Sequence, residues 1–277
     1  MSLVQLGIGL LLGGVAGGLA HAAGALTPTG AAAAGLVGGL TYGFGGLGPS
    51  ILLLAFFVSS SLLSRVGSRA KEQLAGRTMK GDRRDRGQVL ANGLFPAILA
   101  IGYGLAGQLS WLVGISGALA AANADTWATE LGVLAARRPR LITNWRPVAR
   151  GTSGAVSLQG SLAALGGSIL IGLLGAGVAE FELGLPGRVS LGLAASAAVG
   201  GLVGAFSDSL LGATLQASYR CPNCNQETER HPLHTCGAMT VPVGGWRWLG
   251  NDQVNLLASA AGGIVSVAVW SGISSSL

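Results

Sequence analysis

Long apolar segments run through this chain, and they constrain its fold more than any other feature. A stretch of about 20 apolar residues is the length of one helix that crosses a bilayer. Only 10% of the 277 residues are charged, and the mean hydropathy is +0.57, which is the composition of a membrane protein. The sequence therefore predicts an all-α, polytopic transmembrane helical bundle that forms one domain over residues 1–277.

The apolar segments predict about eight membrane spans. They are approximately 3–23, 30–47, 50–65, 89–107, 110–136, 158–179, 189–217 and 253–274. The fifth and seventh are longer than a bilayer requires, so we expect Gly-rich helices that are broken or tilted. The 48 glycines suit transmembrane helices whose backbones approach closely.

Basic residues concentrate in three predicted loops, which cover residues 65–88, 137–157 and 218–250. With eight spans, all three loops fall on the same face of the membrane. Because cytoplasmic loops carry an excess of Lys and Arg, we predict that these loops are cytoplasmic and that both termini lie on the opposite side. The net charge of +6 thus reflects topology, and we expect no nucleic-acid partner.

Three acidic motifs lie inside or beside predicted spans, at residues 123–130, 207–209 and 251–255. A carboxylate in hydrocarbon costs a few kcal/mol and persists where it pairs, binds an ion or faces a wet cavity. Each Asp has an amide or hydroxyl neighbour within two residues, which favours a Mg²⁺ or phosphate site. The predicted Mg²⁺ ligands are Asp125, Asp208 and Asp252. A buried network of hydrogen bonds between helices is the alternative.

Asp252 is the weakest of these three candidates, because an Asn or Asp at a helix start is explained by N-capping alone. On straight helices, Asp125 and Asp252 would also differ in height by about 15–20 Å, which is too far for one ion. We therefore expect either that helices are broken or tilted around a cavity, or that one of the three residues is structural.

Other polar residues near the cytoplasmic ends of spans complete the candidate site. Hydroxyl residues between glycines at 150–160 resemble an anion cradle, although an ordinary turn is equally compatible and the P-loop pattern is absent. Arginines and amides open the fourth span. The candidate substrate- and nucleotide-binding residues are Asn123, Thr129, Arg86, Gln88, Asn92, Thr152, Ser153, Ser157, Ser207, Ser209, Asn251 and Asn255.

The third loop contains a Cys-x-x-Cys motif followed by two histidines and a third cysteine. This spacing is typical of structural zinc sites, which use four Cys or His ligands. The predicted ligands are Cys221, Cys224, His234 and Cys236, with His231 as an alternate. A redox pair or unliganded thiols remain the alternative.

The motifs closely resemble those of a known family. The residues are Asn-Ala-Asp-Thr-Trp-Ala-Thr-Glu at 123–130, Gly-Thr-Ser-Gly-Ala-Val-Ser-Leu-Gln-Gly at 151–160, Asp-Ser-Leu-Leu-Gly-Ala-Thr-Leu-Gln at 208–216, Asn-Asp-Gln-Val-Asn at 251–255 and Arg-Gly-Gln-Val-Leu-Ala-Asn at 86–92. Their order and spread over nearly the whole chain are similar to the integral membrane family catalogued as domain of unknown function 92. That family includes the plant phytyl-phosphate kinase and looks related to polyprenol and dolichol kinases.

The resemblance implies a membrane enzyme of phytol and tocopherol metabolism. It would phosphorylate a phytyl or geranylgeranyl monophosphate to the diphosphate, with Mg²⁺ and a nucleoside triphosphate such as CTP, UTP or ATP. The expected catalytic residues are Asp125, Asp208 and Glu130. The alternatives are nucleotidyl transfer from CTP to a lipid phosphate and an ion-coupled transporter that uses the buried carboxylates. The prenyl chain length and the oligomeric state stay open.

Overall fold

The computed structural model describes residues 2–66 and 83–276, and this part of the chain folds into a bundle of eight helices. The helices are α1 (Leu3–Ala22), α2 (Pro28–Gly45), α3 (Leu47–Arg65), α4 (Arg86–Ala106), α5 (Leu109–Gly132), α6 (Leu158–Leu183), α7 (Gly187–Thr214) and α8 (Asn251–Ser274). Six of them, all except α2 and α5, are long and apolar enough to cross a membrane. The predicted polytopic helical bundle is confirmed.

The predicted spans differ from the helices mainly at their ends. The two long spans are not broken, because α5 and α7 each run without interruption. They end at Gly132 and Thr214, so the following residues belong to loops. The predicted loop at 65–88 falls largely on residues 67–82, which lie outside the described residues.

The other two predicted loops contain short strands in addition to turns. The strands are β1 (Arg140–Leu141), β2 (Ala155–Val156), β3 (Ser218–Cys221), β4 (Gln226–Thr228) and β5 (Val241–Gly244). β1 and β2 form an antiparallel pair, and β3 lies between β4 and β5 in a three-stranded antiparallel sheet. The two loops lie at the same end of the bundle, where Gly154 of the first packs against Ala213 at the end of α7.

Side-chain caps set the start of four helices. In each, a Ser, Thr or Asp side chain accepts a hydrogen bond from a backbone N–H in the first turn, which would otherwise be unsatisfied. The capping residues are Ser2 for α1, Thr27 for α2, Asp85 for α4 and Ser157 for α6.

Helix α5 is the centre of the bundle, although it carries polar residues that make it less apolar than a typical span. Every residue from 112 to 124 is buried, because α3, α4, α6, α7 and α8 all pack against it. A helix that is covered on all sides can hold polar groups that lipid would exclude.

Glycines allow the helices to approach at backbone distance, as the sequence predicted. Gly9, Gly13 and Gly17 repeat every four residues along α1 and face α2. A Cβ at Gly9 would lie 2.6 Å from the carbonyl oxygen of Gly39, so no larger residue fits there without a shift. This is the packing of small-xxx-small transmembrane motifs.

Candidate functional site

A cavity of about 750 Å³ opens at the end of the bundle that carries the strands. Helices α3 to α8 all contribute to its wall, together with the β1–β2 segment. Its polar lining includes Arg84, Gln88, Asn92, Asp125, Thr129, Glu130, Arg150, Thr152, Ser153, Ser157, Asp208, Ser209, Glu229, Asn251 and Asn255. Residues from distant parts of the sequence therefore meet in one polar chamber.

Asp125 and Asp208 reach this cavity from two neighbouring helices. Both α5 and α7 run toward the end that carries the strands, and Gly204 of α7 packs directly against Ala121 of α5. Each Asp follows its packing residue by four positions, which is about one helical turn. The glycine contact thus brings both carboxylates to the same level of the cavity wall.

Glu130 lies beyond Asp125 on the same helix, by about 1.4 turns, and it is held by a neighbouring helix. The hydroxyl of Ser64 on α3 donates a hydrogen bond of 2.7 Å to Glu130 Oε1. Because Glu130 also lines the cavity, a third carboxylate faces the same space. In the described part of the chain, however, the acidic side chains do not form a group of three with ligand atoms within 4.8 Å of one another.

Arg84 supplies positive charge to this acidic chamber. Its guanidinium carbon lies 5.7 Å from the ring centroids of both Phe56 and Phe57, which is cation–π distance. Burial lowers the pKa of Arg84, and the negative charge of Glu130 partly opposes that effect. Arginine remains protonated in proteins, so Arg84 presents a fixed cation to the cavity.

The backbone around Arg84 is clamped to the turn between α1 and α2. Arg84 N–H donates to the carbonyl of Ala25, and Thr27 N–H donates to the carbonyl of Arg84, each at 3.0 Å. Sequence reasoning missed Arg84, because nothing in a run of arginines distinguishes the one whose backbone is paired. It selected Arg86 instead, which is exposed and does not line the cavity.

The hydroxyl-rich loop lies at the cavity. Gly154 adopts a positive φ of 75° and packs against Ala213 at the end of α7, which holds the loop against that helix. Ser153 donates a hydrogen bond of 3.1 Å to Gln216 Oε1, and Ser157 caps α6. Thr152, Ser153 and Ser157 therefore form one rim of the chamber.

Two amide side chains in the lining have buried oxygens that accept no hydrogen bond from the described residues. Gln88 Oε1 and Asn255 Oδ1 are buried atoms without a hydrogen-bond partner among the described residues. Leaving a buried polar atom unpaired costs about 1–3 kcal/mol. Since both side chains line the cavity, a bound ligand or ion with its water would satisfy them.

Asn123 does not line the cavity, contrary to the prediction that it binds substrate. It is fully buried, and its Oδ1 accepts hydrogen bonds from Ser59 at 2.9 Å and Ser60 at 3.3 Å. Its Nδ2 donates to the carbonyl of Gly167 at 2.9 Å. Asn123 therefore joins α5 to α3 and α6, because all of its nearby partners belong to those helices.

Ser207 is a second predicted binding residue that the structure places elsewhere. Its hydroxyl donates to the carbonyl of Val203, one turn earlier in α7, at 2.8 Å. It is not among the residues that line the cavity, whereas Ser209 is. The two serines flank Asp208 but point to different sides of the helix, since they are about 200° apart around its axis.

Asp252 also lies outside the cavity lining, contrary to its prediction as a Mg²⁺ ligand. Its carboxylate packs against Gly87 at the start of α4, where any Cβ would collide with Oδ2. Nor does it cap α8, because Gly250 is the N-cap and Gln253 Oε1 accepts a 3.0 Å hydrogen bond from its N–H. Asp252 thus contributes to the contact between α8 and α4.

The four predicted zinc ligands are brought together at the tip of the β3–β5 sheet. Ligand atoms of Cys221, Cys224, His234 and Cys236 all lie within 4.8 Å of one another. His231 is excluded from the group, since it stacks on Tyr219 with a centroid separation of 4.4 Å. The choice of His234 over His231 thus matches the geometry.

The fold and cavity define a polytopic membrane protein with a polar chamber at one end. The chain matches the family model described as integral membrane protein DUF92 over residues 11–263, and it belongs to this family. No solved structure gives a significant match.

Relatives of this chain include proteins from an archaeon and a plant. An uncharacterized membrane protein of Methanocaldococcus jannaschii is 36% identical over 220 residues, which are 79% of this chain and 75% of that protein. Protein PGR of Arabidopsis thaliana is 35% identical over 240 residues, covering 79% and 82%. Protein VTE6, chloroplastic, of the same plant is 27% identical over 223 residues, covering 78% and 57%.

Proposed function

We propose that this protein is a membrane kinase that phosphorylates an isoprenyl monophosphate to the diphosphate with a nucleoside triphosphate and Mg²⁺. The observation that carries the proposal is the meeting of two carboxylates, a half-buried arginine and a hydroxyl-rich loop in one chamber. Phosphoryl transfer is catalysed mainly by positioning and by electrostatic stabilisation of phosphate oxygens. The kinase activity implied by the family resemblance agrees with this set of residues.

An apolar groove beside the chamber supports a lipid substrate. The groove has a volume of about 100 Å³ and is enclosed by α1, α2, α3 and α4. It shares Arg84, Gln88 and Asn92 with the polar chamber, while the rest of its wall is apolar or glycine. An amphiphile with its phosphate at Arg84 would place its first isoprenoid units in the groove and the remaining chain in the bilayer.

Asp125 and Asp208 are the residues that would hold Mg²⁺ in this proposal. Mg²⁺ is commonly bound by one or two carboxylates together with substrate phosphates, so two acidic ligands suffice without Asp252. The ion would supply charge neutralisation for the phosphate oxygens. The unpaired amide oxygens of Gln88 and Asn255 suit hydrogen bonds from water around such an ion.

The other groups have roles in binding and positioning. Arg84 would hold a phosphate by charge-assisted hydrogen bonds, and Glu130 would orient Arg84 across the chamber. Thr152 would donate a hydrogen bond to the second phosphate group, while the hydroxyl of Ser153, which donates to Gln216, holds the loop in place. The acceptor is a phosphate oxygen that is already ionised near neutral pH, so no strong general base is required.

The direct test uses full-length protein purified in detergent and reconstituted in lipid nanodiscs. Geranylgeranyl or phytyl monophosphate is supplied with Mg²⁺ and, separately, CTP, UTP or ATP. The proposal expects a prenyl diphosphate and one equivalent of nucleoside diphosphate. Absence of product above the protein-free control with every nucleotide would refute it.

The same assay distinguishes a nucleotidyl transferase, and reconstitution in sealed vesicles tests the transporter alternative. A nucleotidyl transferase would release pyrophosphate and leave a nucleotide attached to the lipid phosphate. A transporter would release neither product and would move substrate into sealed vesicles without nucleotide. Either result would replace the kinase proposal.

A further inference from the structure

The Cys/His cluster lies in a module whose other side forms part of the chamber wall. We propose that Cys221, Cys224, His234 and Cys236 bind one structural Zn²⁺, and that the ion holds Glu229 in place to position the Ser153 loop at the chamber.

The geometry of the four side chains suits tetrahedral Zn²⁺. Cys221 Sγ lies 3.5 Å from Cys236 Sγ, and His234 Nδ1 lies 3.3 Å from Cys236 Sγ and 3.6 Å from Cys224 Sγ. Ligands about 2.0–2.3 Å from a tetrahedral zinc are separated by roughly 3.3–3.8 Å. The three distances between ligand atoms therefore match the spacing of ligands around a tetrahedral zinc ion.

Two tight turns present these ligands to each other. Cys221 ends β3 and Cys224 follows in the turn to β4, where Asn225 takes a positive φ of 50°. His234 and Cys236 lie in a second turn, closed by hydrogen bonds between His234 and Gly237 or Ala238 at 2.9 Å. Paired turns of this kind are the usual scaffold of three-cysteine, one-histidine zinc sites.

The module has little core of its own, so a metal would add most of its stability. β4 has three residues and β5 has four, all exposed in β5. Such small domains commonly depend on a metal or disulfide. The fourfold ligand set leaves no open position for substrate, which makes the site structural rather than catalytic.

A short chain of hydrogen bonds connects this module to the chamber. Glu229 follows β4 and lines the chamber. Gln216 Nε2 donates to Glu229 Oε1 at 2.8 Å, and Gln216 Oε1 accepts from Ser153 Oγ at 3.1 Å. Gln216 is only 5% exposed, so Glu229 fixes the orientation of its amide and thereby the position of Ser153.

The first experiment measures metal in full-length protein purified in detergent without added chelator. Elemental analysis should find one zinc per chain, and Cys224→Ala should lose it. The matched control is His231→Ala, which should retain zinc because His231 stacks on Tyr219 outside the cluster. Zinc below about 0.1 per chain, a Cys221–Cys236 disulfide in the native protein, or zinc loss in the control would each overturn the metal site.

The second experiment measures hydrogen–deuterium exchange of the peptide that covers residues 150–157. Exchange there should rise at least about threefold when a chelator removes the metal, and also in Glu229→Ala, which should keep its zinc. The variant Glu227→Ala, whose side chain pairs with Arg220 at the surface, is the control and should show no rise. Unchanged exchange after zinc loss or in Glu229→Ala would overturn the positioning role. Neither measurement depends on kinase activity, so the inference stands or falls separately from the proposed function.

Discussion

At the scale of single residues, Arg84 differs from the other arginines of its run because of its surroundings. Its neighbours Arg83 and Arg86 are exposed, whereas Arg84 lies against two aromatic rings and faces an acidic chamber. A desolvated guanidinium binds phosphate more strongly than one in water, because local dielectric screening is weaker.

Replacing Arg84 tests this assignment against the neighbouring arginine. We expect Arg84→Ala to lower kcat/KM for the prenyl phosphate about 10- to 100-fold, the value of one or two lost charge-assisted hydrogen bonds. Arg84→Lys should recover only part, since lysine lacks the planar fork. Arg86→Ala is the control. Its kcat/KM should stay within about twofold of the wild-type value, because an exposed charge contributes little. Equal losses at both positions would contradict the role given to Arg84.

The acidic residues make a second comparison at this scale. We expect Asp125→Asn and Asp208→Asn to reduce turnover at least about 100-fold, because each removes a carboxylate proposed to hold Mg²⁺. Asp252→Asn should keep most of the activity, since its carboxylate lies against Gly87 outside the chamber. Turnover measured at several Mg²⁺ concentrations checks this. Loss in Asp252→Asn equal to that of the other two would restore the three-carboxylate centre.

At the scale of elements, the glycine face of α1 decides how closely the first two helices pack. Gly13 is buried against Gly35 and Gly39 of α2, whereas a Cβ on the adjacent Gly14 would meet nothing within 4 Å. The contact is therefore directional: a side chain at Gly13 would collide with α2, whereas one at Gly14 would point into open space.

This pair gives a matched stability test. We expect Gly13→Leu to destabilise the protein by roughly 1–3 kcal/mol, the usual cost of overpacking a close contact, while Gly14→Leu should change little. Thermal unfolding of both variants in the same detergent, followed by circular dichroism, measures the difference. If both variants unfold at the wild-type temperature, the close α1–α2 packing is wrong.

The groove between the first four helices gives a prediction about substrate selection. Ala20 lines the groove, so Ala20→Phe should fill it and raise KM for the prenyl phosphate about tenfold, the equivalent of about 1.4 kcal/mol. Its control is Val15→Phe, which adds the same ring at an exposed position outside the groove. An unchanged KM in Ala20→Phe would exclude the groove as the site of the lipid tail.

At the scale of the whole molecule, the two loops that carry the strands, at 137–157 and 218–250, lie at the same end as the chamber. The basic residues of these loops predict that this end faces the cytoplasm. We expect an accessible epitope inserted after Arg138 to be protected in intact cells, and one inserted after Gly184 in the opposite loop to be reactive from outside. Labelling before and after permeabilisation measures both, and the reverse pattern would contradict the orientation.

The sequence predicted much of the helical architecture because that signal is local. Apolar length identifies a span, whereas the caps Thr27 and Asp85 place two helix starts a few residues earlier than the predicted 30 and 89. The clustering of Cys221, Cys224, His234 and Cys236 was also predictable, because these residues lie close together in sequence. The small sheets were not predicted, because strands of two to four residues carry no periodic signal.

Which residues line the chamber depends on contacts between residues that are distant in sequence. Asn123 and Asp125 are two positions apart in one motif, yet the first joins helices and the second faces the chamber. Neither Arg84 nor Glu229 was marked by a sequence motif. Backbone hydrogen bonds bring Arg84 to the chamber wall, and strand β4 brings Glu229 there.

The sequence by itself determined that this chain is a polytopic helical membrane protein and which polar groups were available to it. Hydrophobic length and capping chemistry depend on residues that are close in sequence, so they can be recognised without knowledge of the fold. Only the tertiary structure decided which of those groups share a space. Helix packing sets that choice, because a glycine such as Gly204 fixes how two helices meet and so which face of each turns toward the chamber.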